Sequence, residues 1–347
     1  MSVPTTTLQY SFLQLGSYEN LVKTEVPIAK IRANDVLVKV HAVSLQYRDL
    51  MISKGVYGAN VPPNLVPLSD MAGEVLAVGE DVTGWKKGDR VCANFATDHI
   101  HGRTTPAIQQ TALGGQAHGV LTQYRTFPAH SLVAIPEHLS YEEASTLPCA
   151  GLTAYNALHG PVPIKAGDFV LVLGTGGVSI FALQFAVAAG ATVIATSSSD
   201  EKLKIAAKHG AKHLINYNTT PNWDEDVKKI TNGEGVDHVI EVGGQGTLAK
   251  SIKSVKTGSG YVHIIGHVAS GQGDTNVIFP LISNAVTLRG LLIGSVAQFK
   301  DMNRLIVANS EGTKPVIDKV FSYHEVITAY AYLESQKHVG KVVIKVA

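Results

Sequence analysis

The sequence predicts a two-domain α/β protein: a β-rich domain joined to a doubly wound parallel sheet. Three observations predict it. Asp168–Ser198, DFVLVLGTGGVSIFALQFAVAAGATVIATSS, reads as an apolar strand, a glycine turn, a helix apolar almost all round, and a second strand. From Asp168 to Ile293 strand and helix patterns alternate regularly. Residues 1–135 instead carry short alternating strands divided by Gly and Asp turns, the mark of a small irregular barrel or sandwich. A chain of 347 residues is long for one core and suits two.

Within residues 1–135, Val36–Val43 and Met71–Gly79 read as strands, and Trp85–Val91 as a turn into a third. Phe95–Gly119 is polar and glycine-rich without periodicity, so it reads as a functional or mobile loop. Tyr124–Ile135 resumes strand character. Ser140–His159 reads as one or two helices, opened by a capping box of Ser140 and Glu143 and broken at Pro148. Helices are then expected at Val178–Ala189, Asp200–His209, Trp223–Thr231, Thr247–Lys256 and Phe279–Ala285. Strands are expected at Asp168–Gly174, Thr192–Thr196, Leu214–Tyr217, Val236–Val242, Tyr261–Gly266 and Val286–Ile293. The tail holds helices at Lys300–Ala308 and His324–Ser335 and a strand at Lys341–Val346, too little for its own core, so it packs back on the first domain.

Composition excludes several classes. A formal net charge of +1 offers no basic patch for nucleic acid or an anionic membrane. The two cysteines, Cys92 and Cys149, support neither a disulfide framework nor a cysteine zinc site. The opening MSVPTTTLQY lacks a basic-then-apolar leader, and the glycine turn with Gln184 makes Val178–Thr196 part of a βαβ unit rather than a membrane span. A cytoplasmic, water-soluble protein is expected.

The turn GTGGVS is the motif with chemical content. Gly174, Thr175, Gly176, Gly177 and Val178 join a strand to a helix where backbone N–H groups and the positive helix end face a dinucleotide pyrophosphate. Ser179 stands where a third glycine is usual and is small enough to keep helix and strand close. The second strand ends on Ser197 and Ser198 rather than on the acid that binds an NAD ribose, and Lys202 follows one turn later. Ser198 and Glu201 also form a capping box for the next helix, so Lys202 has a second reading as a solvated helix residue. His99, His101 and His118 have a counter-reading as metal ligands, for which no carboxylate beyond Asp98 has suitable spacing.

Five stretches together are similar to the medium-chain dehydrogenase/reductase superfamily: PLSDMAGEVLAVGEDVTGWKKGDRV (67–91), LPCAGLTAYNAL (147–158), LVLGTGGVS (171–179), VDHVIEVGG (236–244) and VGKVVIKV (339–346). The resemblance implies a GroES-like β-rich catalytic domain over residues 1–135 and 296–347, and a Rossmann dinucleotide-binding domain over 136–295, with the active-site cleft between them. It implies NADP as cofactor, bound by the serines, Lys202 and Tyr217. It also nominates Thr153, Val242, Gly243, Gly266, His267, Val268, Leu292 and Gly294 near the nicotinamide. Zinc-dependent members place ligands at the positions of Gln46, Ser69 and Cys149; only the cysteine is kept, and the four-cysteine lobe is replaced by Phe95–Gly119. The chain thus resembles the zinc-lacking, quinone oxidoreductase-like branch, whose nearest motif set is often labelled zinc-type alcohol dehydrogenase-like. No metal is expected.

Gln46, Tyr47, Arg48 and Asp49 replace the zinc-binding loop. Arg48 or Tyr47 is placed to donate to a developing oxyanion, Gln46 to orient substrate or ribose, and Tyr57 to wall the pocket; Asp49 reads as a structural partner for Arg48 or the backbone. Hydride transfer to the activated double bond of a quinone or α,β-unsaturated carbonyl is the expected reaction. A zinc-independent alcohol dehydrogenase or aldehyde–ketone reductase is the alternative, and a non-enzymatic NADPH-binding protein the third reading. The expected partners are a small-molecule substrate and a second copy, paired through the apolar edge Val286–Ile293.

Overall fold

The computed structural model describes residues 4–58, 60–268 and 276–347. The chain divides into two compact units, one of Met1–Leu152, Ile293–Ala308 and Ile317–Ala347, the other of Thr153–Leu292 and Asn309–Val316.

The first unit begins with a hairpin that sequence patterning did not predict, β1 (Thr6–Phe12) against β2 (Leu21–Pro27). Its main sheet has seven strands. At the centre lie β3 (Asp35–Ser44) and β4 (Asp70–Val78), paired antiparallel, followed by β5 (Arg90–Ala93), β6 (Tyr124–Pro128) and β7 (Leu132–Ala134). The β3 valines Val36, Val38 and Val40 are buried, as their alternation demanded, and Leu37 and Val43, outside that alternation, are buried too.

The second unit carries an all-parallel six-stranded sheet: β8 (Phe169–Leu173), β9 (Thr192–Ser197), β10 (His213–Asn216), β11 (His238–Glu241), β12 (Tyr261–Ile264) and β13 (Thr287–Gly290). The spatial order is β10-β9-β8-β11-β12-β13, so the winding reverses between β8 and β11. The helix Gly177–Ala188 follows β8, with Ser179 to Ala186 buried along its length. Ser179 does more than stay small, since its hydroxyl donates to Leu173 O at 2.7 Å and ties the helix to the strand.

Most of the tail returns to the first unit, but Asn309–Val316 belongs to the second, where Lys314 O accepts from Gln184 Nε2 at 2.7 Å. In the first unit β14 (Ile317–Ser322), a strand the sequence pattern missed, pairs parallel with β15 (Lys341–Lys345), which pairs antiparallel with β3. The helix expected from Lys300 begins earlier, at Val296, and the one expected from His324 is a short 3₁₀ turn (Tyr323–Glu325) leading into Val326–Glu334. Ser140 and Glu143 do form a capping box, and Pro148 lies in a π-helical turn, Leu147–Gly151, that separates two helices. Among the described residues no helix is long and apolar enough to cross a membrane.

Candidate active site

In the first unit the helix Tyr47–Ser53 presents the Gln46–Asp49 cluster. Gln46 is its N-cap, and Asp49 Oδ2 accepts from Gln46 N at 2.7 Å, closing a capping box. Asp49 is therefore a backbone partner, one of the two roles expected of it. Gln46 is itself spoken for, because Nε2 donates to Asp70 Oδ2 at 2.7 Å. The same Asp70 oxygen accepts from Cys149 N at 2.9 Å, and Oδ1 accepts from the Ser69 hydroxyl.

Asp70 had no place among the sequence candidates, yet it joins three of them and is fully buried. Burial pushes its carboxyl up to about 7, against the pull of Lys341. Asp49 is likewise raised by burial to about 6, against Arg48. Lys341, also buried, donates to Leu45 O at 2.6 Å. The signal for Asp70 was one residue away, in PLSDMAG, but a lone carboxylate opening a strand does not announce its partners.

Arg48 is fastened on several sides. Its guanidinium lies 4.7 Å from the Phe95 ring centre and 5.1 Å from that of Tyr57. Nη1 donates to Leu113 O at 2.9 Å and Nη2 to Gln116 Oε1 at 3.2 Å. It thus pins the Phe95–Gly119 segment, which is not a structureless loop. Phe95, Ala96, Ala112 and Leu113 are buried there, and a short helix, Pro106–Gln109, interrupts it. Tyr57, expected to wall the pocket, lies against the Arg48 guanidinium. Tyr47, by contrast, is exposed and nothing in the described structure takes its hydroxyl.

The residues at the zinc-ligand positions do not fit that metal. Gln46 and Ser69 turn donor groups towards Asp70, and burial pushes the Cys149 thiol up, away from the thiolate that coordinates zinc. Among the described residues no group of three or more His, Cys, Asp or Glu could hold a metal ion. His99 Nε2 lies 3.0 Å from Gly102 O, and His118 Nδ1 accepts from Val66 N at 3.3 Å.

In the second unit the turn Gly174–Gly177 fits a pyrophosphate. Gly174 has φ +71°, and a Cβ added there or at Gly176 would meet nothing within 4 Å. No side chain caps the helix Gly177–Ala188, which leaves its first N–H groups for a ligand. Thr153, 2% exposed, holds a hydroxyl without a hydrogen-bond partner.

Ser197, Ser198 and Tyr217 come together: Tyr217 N donates to Ser197 O at 3.0 Å, and Asn218 Nδ2 to Ser198 O at 3.1 Å. The cap of the following helix is Ser199, not Ser198; its hydroxyl accepts from Lys202 N, and the helix runs Asp200–Lys208. Three consecutive serines made the assignment ambiguous, and the backbone turns one residue later than expected. The Asp200 carboxylate, overlooked in the sequence, accepts from Asn216 Nδ2 at 2.7 Å.

The turns after β11 and β12 interlock. Val268 N donates to Val242 O at 3.0 Å, and a Cβ at Gly244 would come within 2.7 Å of His267 Cα. Val242, Gly243, Gly266, His267 and Val268 therefore share one surface of the unit. Buried Glu241 underlies it, its Oε1 accepting from Gly243 N, Gly244 N and the Thr247 hydroxyl at 2.7, 2.9 and 2.6 Å. Leu292 closes this unit, whereas Gly294 lies in the other, where its carbonyl accepts from Asn94 Nδ2 at 3.4 Å.

Comparison with known proteins agrees with both halves. Residues 32–137 match the alcohol dehydrogenase GroES-like domain, and residues 177–308 the zinc-binding dehydrogenase family. A zinc-type alcohol dehydrogenase-like protein of Schizosaccharomyces pombe is 49% identical over 340 residues, 96% of this chain and 97% of the relative. The chain belongs to the medium-chain dehydrogenase/reductase superfamily. A putative alcohol dehydrogenase of Sinorhizobium meliloti superposes with a TM-score of 0.90 at 38% identity, covering 99% of this chain and 100% of the other. A 2-methylene-furan-3-one reductase of Solanum lycopersicum is 32% identical over 99% of this chain and 80% of its own length. Like other members of the superfamily, this chain is an oxidoreductase using a nicotinamide cofactor.

Proposed function

We propose that this oxidoreductase is NADPH-dependent and zinc-independent, and reduces the activated double bond of quinones or α,β-unsaturated carbonyls. The observation that carries the reading is the conversion of the zinc-ligand positions into a hydrogen-bonded cluster around Asp70. Without a Lewis acid, conjugate reduction is the easier chemistry, because it asks only for a donor at the carbonyl oxygen. NADPH held at the turn Gly174–Gly177 would supply hydride for the β-carbon, the C=C electrons passing to the carbonyl oxygen and the α-carbon taking a proton from solvent. Tyr47 is the exposed donor of the cluster free to meet that oxygen, since Gln46 Nε2 serves Asp70, Arg48 Nη1 and Nη2 serve Leu113 and Gln116, and Arg48 Nε, though unpartnered, is buried. Support for the phosphate-bearing cofactor comes from Ser197, Ser198 and Tyr217 at the end of β9 and β10, and from the engagement of Asp200 with Asn216.

Steady-state oxidation of NADPH and NADH against an enone, its saturated ketone and a simple quinone tests this, with and without chelator. Fast NADPH use on enone or quinone, indifferent to chelator, is the expected result. Turnover of the saturated ketone instead selects the alcohol dehydrogenase reading, which the names of several relatives favour. Tyr47→Phe should lower kcat on an enone by roughly a hundredfold, the usual loss for one oxyanion donor. Arg48→Lys should keep kcat within threefold and cost about 1–2 kcal/mol of stability, because lysine reproduces neither the ring stacking nor the forked hydrogen bonds.

We also propose a cytoplasmic homodimer. Strand β13 ends the six-stranded sheet, and the preceding helix, Ile278–Asn284, exposes Ile278, Phe279 and Ile282 by 65%, 71% and 73%. Phe279→Glu should convert the dimer to monomer in sedimentation analysis. An unchanged dimer would move the interface elsewhere.

A further inference from the structure

We propose that Asp70 is a positioning residue for the Tyr47 hydroxyl, acting through the carboxamide of Gln46. The proposal rests on the reading of Tyr47 given above. Tyr47 is the first residue of its helix and Gln46 the N-cap immediately before it. Whatever fixes Gln46 therefore fixes where the Tyr47 side chain leaves the backbone. A glutamine amide has two orientations of nearly equal shape, and a carboxylate accepts from only one of them. Asp70 thus selects the orientation with Nε2 inward, at 2.7 Å, and Ser44 Oγ at 3.4 Å lies on the same nitrogen.

The carboxylate is held in turn. It accepts from Cys149 N, in the π-helical turn Leu147–Gly151, and from the Ser69 hydroxyl. Charged and titratable groups face the cluster from every side. Asp49 and Arg48 lie on the Tyr47 helix, Lys341 on β15, Cys92 on β5, and Cys149 on the π-turn. Lys341 attracts both carboxylates, and Asp49 repels Asp70. A fully buried carboxylate that accepts three hydrogen bonds from three separate residues is a rigid anchor, and a loose one once it is protonated.

The test is kinetic and uses the whole enzyme. Asp70→Asn offers Gln46 an amide instead of a carboxylate, so either orientation of Gln46 is served. Its kcat on an enone at pH 8 should fall at least tenfold, with the enone KM within threefold and NADPH binding, followed by nicotinamide fluorescence, unchanged. In the parent enzyme kcat should fall on the acid side with a midpoint near 7, where Asp70 takes a proton. That limb should be absent in Asp70→Asn. The double variant Tyr47→Phe/Asp70→Asn should be no slower than Tyr47→Phe alone.

Should Asp70→Asn fail to fold, Gln46→Met carries the test by leaving Asp70 intact and cutting the link, and the same loss of kcat and of the acid limb is expected. Additive losses in the double variant, or an acid limb that survives, overturn the proposal. A Tyr47→Phe enzyme with full kcat overturns the Tyr47 reading instead, and the two failures are told apart by that variant alone.

Discussion

Glu241→Ala should destabilise the second unit by about 3–5 kcal/mol and weaken binding of the nicotinamide cofactor at least tenfold. The side chain is completely buried at the end of β11 and gathers four donors: Gly243 N, Gly244 N, and the hydroxyls of Thr247 and Ser251. Alanine leaves two backbone N–H groups facing a void, each worth about 1–3 kcal/mol when buried and unpaired. The hydroxyls can rotate to other acceptors; the amides cannot. The turn Val242–Gly244 interlocks with Gly266–Val268, so loosening one frees the other, and both belong to the surface nominated for the nicotinamide. Glu241→Gln is the control. Its amide oxygen can face the three donors on the Oε1 side while its nitrogen donates to Ser251, whose hydroxyl reverses. A loss of only about 1 kcal/mol is expected there. Urea denaturation followed through Trp223, buried in this unit, measures both variants. A Glu241→Ala protein within about 1 kcal/mol of the parent would show that the turns stand without their carboxylate.

Local features were readable and meetings between distant residues were not. The β8 turn and its helix were legible because one short segment carries strand, glycines and apolar helix together. The small size of Ser179 is legible in the sequence, but its bond to Leu173 O needs the turn to be folded first. Asp70 and Glu241 were overlooked because each is a single acid beside an apolar run, and its donors arrive from other segments. Asp70 meets Gln46, 24 residues earlier, and Cys149, 79 residues later. The β1–β2 hairpin was missed for another reason. The β2 strand is largely solvent-facing, and its mixed residues, LVKTEVP, carry little apolar contrast for periodicity to register. For Arg48 the sequence shows the charge and not the two rings and two oxygens that its guanidinium meets.

The second unit should also lose stability in acid through a histidine pair that spacing alone did not reveal. Strands β11 and β12 pair parallel with His238 opposite Tyr261, which sets His263 two residues further along on the same face. There His238 Nδ1 and His263 Nε2 lie 3.1 Å apart, both side chains buried. One nitrogen must donate and the other accept, so the neutral pair shares a single proton. Burial lowers His263 to about 3, with His238 and Arg289 pushing the same way. Burial also lowers His238, opposed by Asp168 and Asp237 and assisted by Lys165; His159, close by, is lowered as well. The unfolded chain takes up these protons near pH 6.5, whereas the folded chain does not take the His263 proton until about 3. The stability contributed by the neutral pair is therefore complete above pH 6.5 and is lost as the pH falls through the window down to 3. His263 costs up to about 1.4 kcal/mol per pH unit in that window, or about 2 kcal/mol at pH 5, and the lowered His238 adds in the same direction. His263→Gln removes one titrating group and retains an amide nitrogen that can donate to His238 Nδ1. Its stability at pH 7.5 should lie within about 1 kcal/mol of the parent, while its decline between pH 6.5 and 5 should be shallower by about one proton. Hydrogen exchange on peptides of the second unit separates this from acid loss in the first, where His41 and His118 are also lowered by burial. A His263→Gln protein whose decline in acid matches the parent would place the sensitivity in other groups.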